Sequence, residues 1–582
     1  MLLPTLASSS SQGPSLLLLL PVLAAALVTW ARHRTRQLHN TLPAVSWEEL
    51  QRRVSSSSEA SSEATPLRVS GAPQQLWLTS NPDLWTPAHL LRLSRETAAG
   101  ATIVGLRSKT SGADFTHHFQ KTQEGRAAAP AAARISTTTT TPDHAVRYTT
   151  LREALPLIWP TVMHGKGFSS PPLSPSAVAP PPSFAAESPP PTRYYLSIDM
   201  TRVDPGMLPY DADTLLTWIP DGCLADDTRY TDGTRPQLCR GLASNLWIGA
   251  TGVAATMHYD LQHNLVLQAS GEKRWIVFPP SVHAMLRLHP RWHGSQRQAQ
   301  ATLQEIATAA KAANVSPKIF TLSAGEMLYL PPLWFHHVES LSPSVSANFW
   351  THSLYSDTWS LLSNVTGSTD EGKHQEDHPE MDRFRGLFAG HDEDAETMFA
   401  AARVILSRLL QMLPHRRSGG DSTALASVAR NVLLARYSKH PSFAGGTSSE
   451  SGSGTMWDAH MPSFQTPEAS AERRIIVETC ARARAPAAWA TIRLGAQQRE
   501  TLRVFADALS VLPDGPRSLL LEEWVDELSG WVVAAQAEWK FAAANVGTFL
   551  LECLHRQEGE EGSRAGGGGG GDGAGGQASC QT

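Results

Sequence analysis

The sequence predicts a mainly β fold, a sandwich or barrel, followed by a helical region, and three observations carry that expectation. From Arg193 to about Trp350 the chain runs in short apolar stretches, "YYLSI", "NLWIGA", "NLVLQAS", "RWIVFPP", "MLYLPP" and "VSANFW", punctuated by Gly and Pro. Such runs read as strands of a sandwich or barrel. After about residue 380 the period lengthens: Met398, Ala402, Ile405, Leu409 and Leu413 share one helical face, as do Leu528, Trp531, Ala535 and Trp539. Within the β region only "RQAQATLQEIATAAKAAN" reads as a helical insert. The C-terminal stripes suit a core or an oligomer surface, so a homodimer through these helices is one expectation.

The 582 residues offer material for two or three domains at roughly 100–200 residues each. Residues 1–31 carry no charge, and Leu16 to Ala31 is almost wholly apolar before Arg32, Arg34 and Arg36. At 16 residues this run is short of the ~20 that a spanning helix needs. We read residues 1–36 as an N-terminal membrane anchor or targeting segment. Arginines on its C-terminal side would leave the catalytic domain facing the cytoplasm; cleavage of the segment would instead deliver it to an organelle or secretory lumen, where "NVS" at Asn314 and "NVT" at Asn364 could accept glycans.

A lead-in follows, with Ser46 as N-cap, Glu49 three residues on, and Trp47, Leu50 and Val54 at helical spacing. Low-complexity stretches at 127–142 and 169–192 cannot bury enough apolar surface to order themselves and read as insertions in a domain spanning 43–380. A helical region spans 381–556, and a Gly-rich tail spans 557–582.

Formal net charge is −5, which argues against tight, sequence-independent nucleic-acid binding. Cys223, Cys239, Cys480, Cys553 and Cys580 show no CxxC spacing, so neither a cysteine zinc site nor a disulfide framework is expected, and reduced thiols are the reading. A Cys223–Cys239 bridge stays open.

The chemistry concentrates in "TMHYDLQHN", Thr256 to Asn264. On a strand, His258 and Asp260 point to one face and can meet one ion, while Tyr259 points away. A third donor must come from elsewhere, and "PPLWFHHVESL" offers His336, with His337 as alternative. Two imidazoles and one carboxylate on one face of a metal are the donor set of non-haem Fe(II) oxygenases. Lys273, opening the next strand after a Gly turn in "GEKRW", could set an ammonium into the barrel, as the far end of a dicarboxylate requires. Alone, an H-x-D pair is a chance motif and a hairpin lysine is a surface residue.

Together, "SNLWIGATGVAATMHYDLQHNLVLQASGEKRWIVFPP", "GEMLYLPPLWFHHVES" and "VSANFW" resemble the JmjC/cupin-like Fe(II)- and 2-oxoglutarate-dependent oxygenases, the nearest pattern being that of the asparaginyl hydroxylase of hypoxia-inducible factor. The resemblance implies a double-stranded β-helix, the jelly-roll of JmjC and cupin domains. It implies Fe(II) on His258, Asp260 and His336, with 2-oxoglutarate on Lys273, supported by Tyr195, Asn264 and Asn348, and with Trp350 lining the site. Where the family often has a Thr three residues before the first ligand, this chain has Ala255; Thr256, one place on, is the cosubstrate-binding candidate there, although alternation puts it on the other face. The implied reaction consumes dioxygen and 2-oxoglutarate, releases succinate and CO2, and hydroxylates a protein side chain. A JmjC-type demethylase, a tRNA-base hydroxylase and a catalytically silent membrane-tethered module are the alternatives. For tRNA the nearby basic stretch is "RLHPRWHGSQRQ", Arg287 to Gln298, which reads as a solvated loop.

Overall fold

The structure is a computed structural model that describes residues 42–55, 65–72, 80–96, 103–109, 114–115, 144–160, 193–199, 243–291, 295–363, 381–391, 394–413, 421–437, 467–536 and 543–556. The N-terminal segment 1–36, both low-complexity insertions, Asn364, Cys223, Cys239, Cys580 and the Gly-rich tail lie outside them. No described helix is long and apolar enough to cross a membrane.

The strands are β1 (Ala44–Ser46), β2 (Leu67–Ser70), β3 (Ile103–Lys109), β4 (Asp114–Phe115), β5 (His144–Thr150), β6 (Arg193–Asp199), β7 (Ala243–Gly249), β8 (Ala254–His258), β9 (His263–Ser270), β10 (Glu272–Phe278), β11 (Lys318–Ser323), β12 (Met327–Leu330), β13 (Phe335–Ser340) and β14 (Ser344–Thr351). They form a larger sheet in the order β1-β2-β12-β9-β14-β7-β6-β3-β5 and a smaller one in the order β11-β10-β13-β8-β4. Nearly all pairings are antiparallel; β1 with β2 and β4 with β8 are parallel. This is the cupin architecture of two facing sheets, with a helical region following it.

Between the sheets, Val266, Trp275, Val277, Phe320, Leu322, Leu328 and Leu330 pack into a small core. The outer face of the larger sheet is covered by the lead-in: α1 (Trp47–Ser55), α2 (Pro87–Glu96) and α3 (Leu151–Ile158) bury Trp47, Leu50, Leu90, Leu91 and Leu155 against Leu265, Leu267 and Val345. Ser46 Oγ accepts from the Glu49 amide at 3.2 Å, so the expected cap is formed. The β9–β10 turn needs Gly271: its φ is +73°, and a Cβ there would meet the Pro343 carbonyl oxygen.

α4 (His283–Leu286) and α5 (Leu303–Ala312) interrupt the strands. The helical insert is therefore shorter than its sequence pattern, because Thr302 and Glu305 form a capping box that starts it at Leu303.

The C-terminal region comprises α6 (Leu354–Ser363), α7 (Ala395–Met412), α8 (Asp421–Val432), α9 (Pro467–Ala483), α10 (Pro486–Thr491), α11 (Ala496–Ser510), α12 (Asp514–Ala534) and α13 (Ala543–Phe549). The Met398–Leu413 stripe is buried inside this chain's own core, as are Leu528 and Trp531. Those stripes are thereby consumed within the chain rather than offered to a second copy. The later stripe also ends early: α12 stops at Ala534 and Trp539 lies outside the described residues.

One expectation is overturned here. Cys480 and Cys553 form a disulfide with Cα atoms 4.8 Å apart, both fully buried. They stand 73 positions apart, and only the packing of α9 against the single-turn π-helix Leu550–His555 joins them.

Candidate metal and cosubstrate site

β8 ends at His258, and Asp260 lies just past it. β13 lies antiparallel to β8 and sets His336 directly opposite His258. The Leu333 amide donates to the Asp260 carbonyl at 2.8 Å, tying the turn that precedes His336 to the residue carrying the carboxylate. Ligand atoms of His258, Asp260 and His336 all lie within 4.8 Å of one another, and His336 Nε2 is 3.7 Å from Asp260 Oδ2. His337 is the neighbour facing the other way, and it does not join this group.

The rings are prepared as ligands. His258 Nδ1 is 2.7 Å from the Thr256 carbonyl and His336 Nδ1 is 3.0 Å from the Trp334 carbonyl. A carbonyl can only accept, so Nδ1 carries the proton in both rings and the lone pair falls on Nε2. Burial above all holds the His336 pKa well below its ordinary value, so this imidazole is neutral. For Asp260, burial acts to raise the pKa, but its neighbours and the bond from Trp350 outweigh it and hold the carboxyl below its ordinary value. Asp260 Oδ2 accepts from Trp350 Nε1 and from Asn264 Nδ2, each at 3.1 Å, and Asn348 Nδ2 donates to Asn264 Oδ1 at 2.9 Å. Two imidazole nitrogens and an oriented carboxylate, with no thiolate in the donor set, fit Fe(II).

A cavity partly open to solvent lies beside these ligands between the two sheets. Tyr195, Asn264, Lys273, Asn348 and Trp350 all line it, as the resemblance implies. Lys273 is buried and donates from Nζ to Ser346 Oγ at 2.6 Å, its single hydrogen-bond partner among the described residues. No carboxylate among the described residues balances it, and desolvation lowers its pKa to about 7. An ammonium placed so in a cavity awaits an anion.

Thr256 is corrected: it does not line the cavity, whereas Ala255 does. His336 pairs with His258 but Val338 pairs with Ala255, so β8 carries an extra residue there. That bulge puts two residues three apart on one face. The site consequently presents an alanine methyl at this position, and Ser346 supplies the hydroxyl beside Lys273.

Ser346, Trp247 and Trp275 are site residues that the sequence reading missed. Alternation back from Trp350 and Asn348 along "SVSANFW" could have found Ser346. Gln298 was missed too. Its segment is no solvated loop: Gln298 bridges His258 in antiparallel register, and Arg291 is buried. Residues opposed across such a bridge share a face, but Gln298 does not line the cavity. It is fully buried, and neither amide atom has a hydrogen-bond partner among the described residues. Arg297, beside it, has φ +68°, a region that costs a non-glycine residue of order 1 kcal/mol or more.

Residues 178–357 match the family model of the cupin-like domain. Over 167 residues the chain is 30% identical to lysine-specific demethylase JMJ31 of Arabidopsis thaliana, covering 25% of this chain and 30% of that protein. It is 29% identical over 162 residues to tRNA wybutosine-synthesizing protein 4 of Aspergillus oryzae, covering 28% and 15%. Against human HSPB1-associated protein 1 it is 32% identical over 152 residues, covering 22% and 27%. The chain thus spans less than a third of the length of each of these relatives.

Proposed function

From the premise that this chain carries a cupin-like domain of the JmjC/cupin oxygenase family, we propose that it is an Fe(II)- and 2-oxoglutarate-dependent dioxygenase that hydroxylates a side chain of a protein substrate. The observation that carries the reading is the conjunction in one cavity of the His258, Asp260 and His336 donor set with a buried ammonium, Lys273, that no carboxylate among the described residues balances. His258, Asp260 and His336 hold the iron. Lys273, with Ser346, binds the distal carboxylate of 2-oxoglutarate. When bound, iron and cosubstrate supply the oxidising chemistry: 2-oxoglutarate and dioxygen yield succinate and CO2, and one oxygen atom enters a substrate C–H bond.

The chain's own work is to orient and to exclude water. Asn348, Asn264 and Trp350 fix the carboxylate of Asp260, and Tyr195 stacked on Trp247 at 5.5 Å walls the cavity. Ala255 removes one hydroxyl from the cosubstrate's surroundings, so its binding rests more on Lys273 and Ser346.

The disulfide supports the lumenal alternative for localisation, since such bonds persist in oxidising compartments. Protease protection in sealed membranes, with the thiols of Cys480 and Cys553 titrated, decides between lumen and cytoplasm.

The function is tested by succinate release. Purified protein with Fe(II) should convert 2-oxoglutarate to succinate, and His258→Ala should not. Mass spectrometry of peptides turned over by the enzyme should find +16 Da. A loss of 14 Da from methyl-lysine instead would establish the demethylase reading, and metal binding with no cosubstrate turnover would sink both.

A further inference from the structure

Residues 287–291 and 295–300 lie beside each other next to β8. Leu288 bridges Ala299, the His289 amide donates to the Gln298 carbonyl at 2.9 Å, and the Gln300 amide donates to the Arg287 carbonyl at 2.9 Å. The returning arm then lies along the ligand strand: Gln298 bridges His258, and the Ala299 amide donates to the Met257 carbonyl at 2.8 Å. This strap is the neighbour of β8 at the metal ligand. Of the strap, residues 292–294 are outside the described residues.

On its far side the strap is tied to the C-terminal region. The Arg291 amide donates to Asp526 Oδ2 at 2.8 Å, and its Nε donates to Glu527 Oε2 at 2.9 Å, with Glu523 Oε2 at 3.5 Å. The guanidinium also lies 4.5 Å over the ring of Trp359 on α6. Arg436, in the π-helical turn Leu433–Tyr437, donates to Glu523 at 2.7 Å, and its carbonyl accepts from Gln300 Nε2 at 2.7 Å. Tyr437 Oη donates to Asp526 Oδ1 at 2.7 Å. Glu523, Asp526 and Glu527 all lie on α12 and are buried.

Buried charges of this kind are a poor source of stability, because desolvation offsets their attraction; apolar residues of similar volume often serve as well or better. What directional bonds add is register. Arg291 Nη1 and Arg436 Nε have no hydrogen-bond partner among the described residues, so the network is not optimised even on its own terms.

We propose that Arg291 and the acidic face of α12 form a clamp that holds the strap in register against His258, making Arg291 a positioning residue for the metal-ligand strand. The metal part of this rests on the reading of His258 as an iron ligand; the mechanical part does not. The helical region is then a working part of the site rather than an appendage.

The test uses the full chain with Arg291→Met and Glu527→Met combined, which replaces one ion pair by apolar groups. Three quantities are read: thermal midpoint, amide hydrogen exchange, and Co(II) affinity followed by its absorption spectrum. The midpoint should move little. Amides of Gln298, Ala299 and residues 256–259 should exchange at least about tenfold faster while β9 and β14 stay protected. Co(II) should bind about 10–100-fold more weakly, the range seen when groups supporting metal ligands are removed. A folded double variant with unchanged exchange and unchanged Co(II) affinity overturns the clamp. Should it fail to fold, Arg291→Lys, which keeps the charge but not the fork, is read by the same exchange: faster exchange at residues 256–259 supports the clamp and unchanged exchange overturns it. If exchange responds but the wild type binds no Co(II), the clamp stands and the metal reading falls.

Discussion

Lys273 is a buried ammonium that no carboxylate among the described residues balances, and its behaviour with pH follows from that. Its pKa is lowered from 10.5 to about 7 by desolvation. Below about 7 it is charged in folded and unfolded chain alike; above 10.5 it is neutral in both. Between them the unfolded chain holds the extra proton, so stability of the ligand-free protein should rise as pH increases through this window. Lys273→Met should flatten that rise, as denaturant unfolding at pH 7 and pH 9 will show. Binding a carboxylate restores the proton, so 2-oxoglutarate affinity should fall above about pH 7, approaching tenfold per pH unit. Calorimetry in buffers of different ionisation enthalpy would detect the proton uptake. Removing the charge with Lys273→Met should cost roughly 2 kcal/mol or more, about thirtyfold in affinity. Ala255→Thr should act in the opposite sense, tightening 2-oxoglutarate severalfold, since the bulge aims position 255 into the cavity.

At the scale of the element, the strands hold the site through turns that tolerate little change. Gly271→Ala should destabilise by about 2 kcal/mol or more, because it combines a left-handed backbone with a contact to the Pro343 carbonyl; the thermal midpoint reads it directly. Alternation made His258 and Asp260 legible as a pair, since period two is written in adjacent residues; the Gly turn pointed to Lys273, while Asn348 and Trp350 came from the resemblance alone. The bulge in β8 was not legible, because it exists only in the register against β13. Thr256 was misplaced as a cosubstrate residue for that reason. The strap was hidden more deeply: Arg291 looks like any basic loop residue until Asp526, 235 positions away, is brought against it. The same holds for Gln298, which is separated in sequence from its neighbour His258 by β9, β10 and α4.

For the whole molecule, the helical region and the β-sandwich share one apolar core, in which Met257, Phe278 and Phe335 pack with Ile405, Leu528 and Val532. The Cys480–Cys553 bond closes a long loop within it. Replacing both cysteines with alanine should cost up to about 4 kcal/mol, and because the core is shared, loss should loosen the sandwich as well as the helices. Hydrogen exchange of β8 and β13 in that variant measures the coupling. The larger sheet has a further consequence at its other end. β1 and β2 are supplied by the lead-in, and among the described residues β2 is the strand that pairs with β12 on the side away from β9; the four residues of β12 are all buried. A shortened form starting after Ala72, whether from proteolysis or from an alternative start, would bare an apolar strand with unpaired amides. Such a form is expected to self-associate through that edge, so sedimentation of a product beginning at residue 73 against one beginning at residue 37 would turn a folding detail into a rule for which processed forms of this protein stay monodisperse.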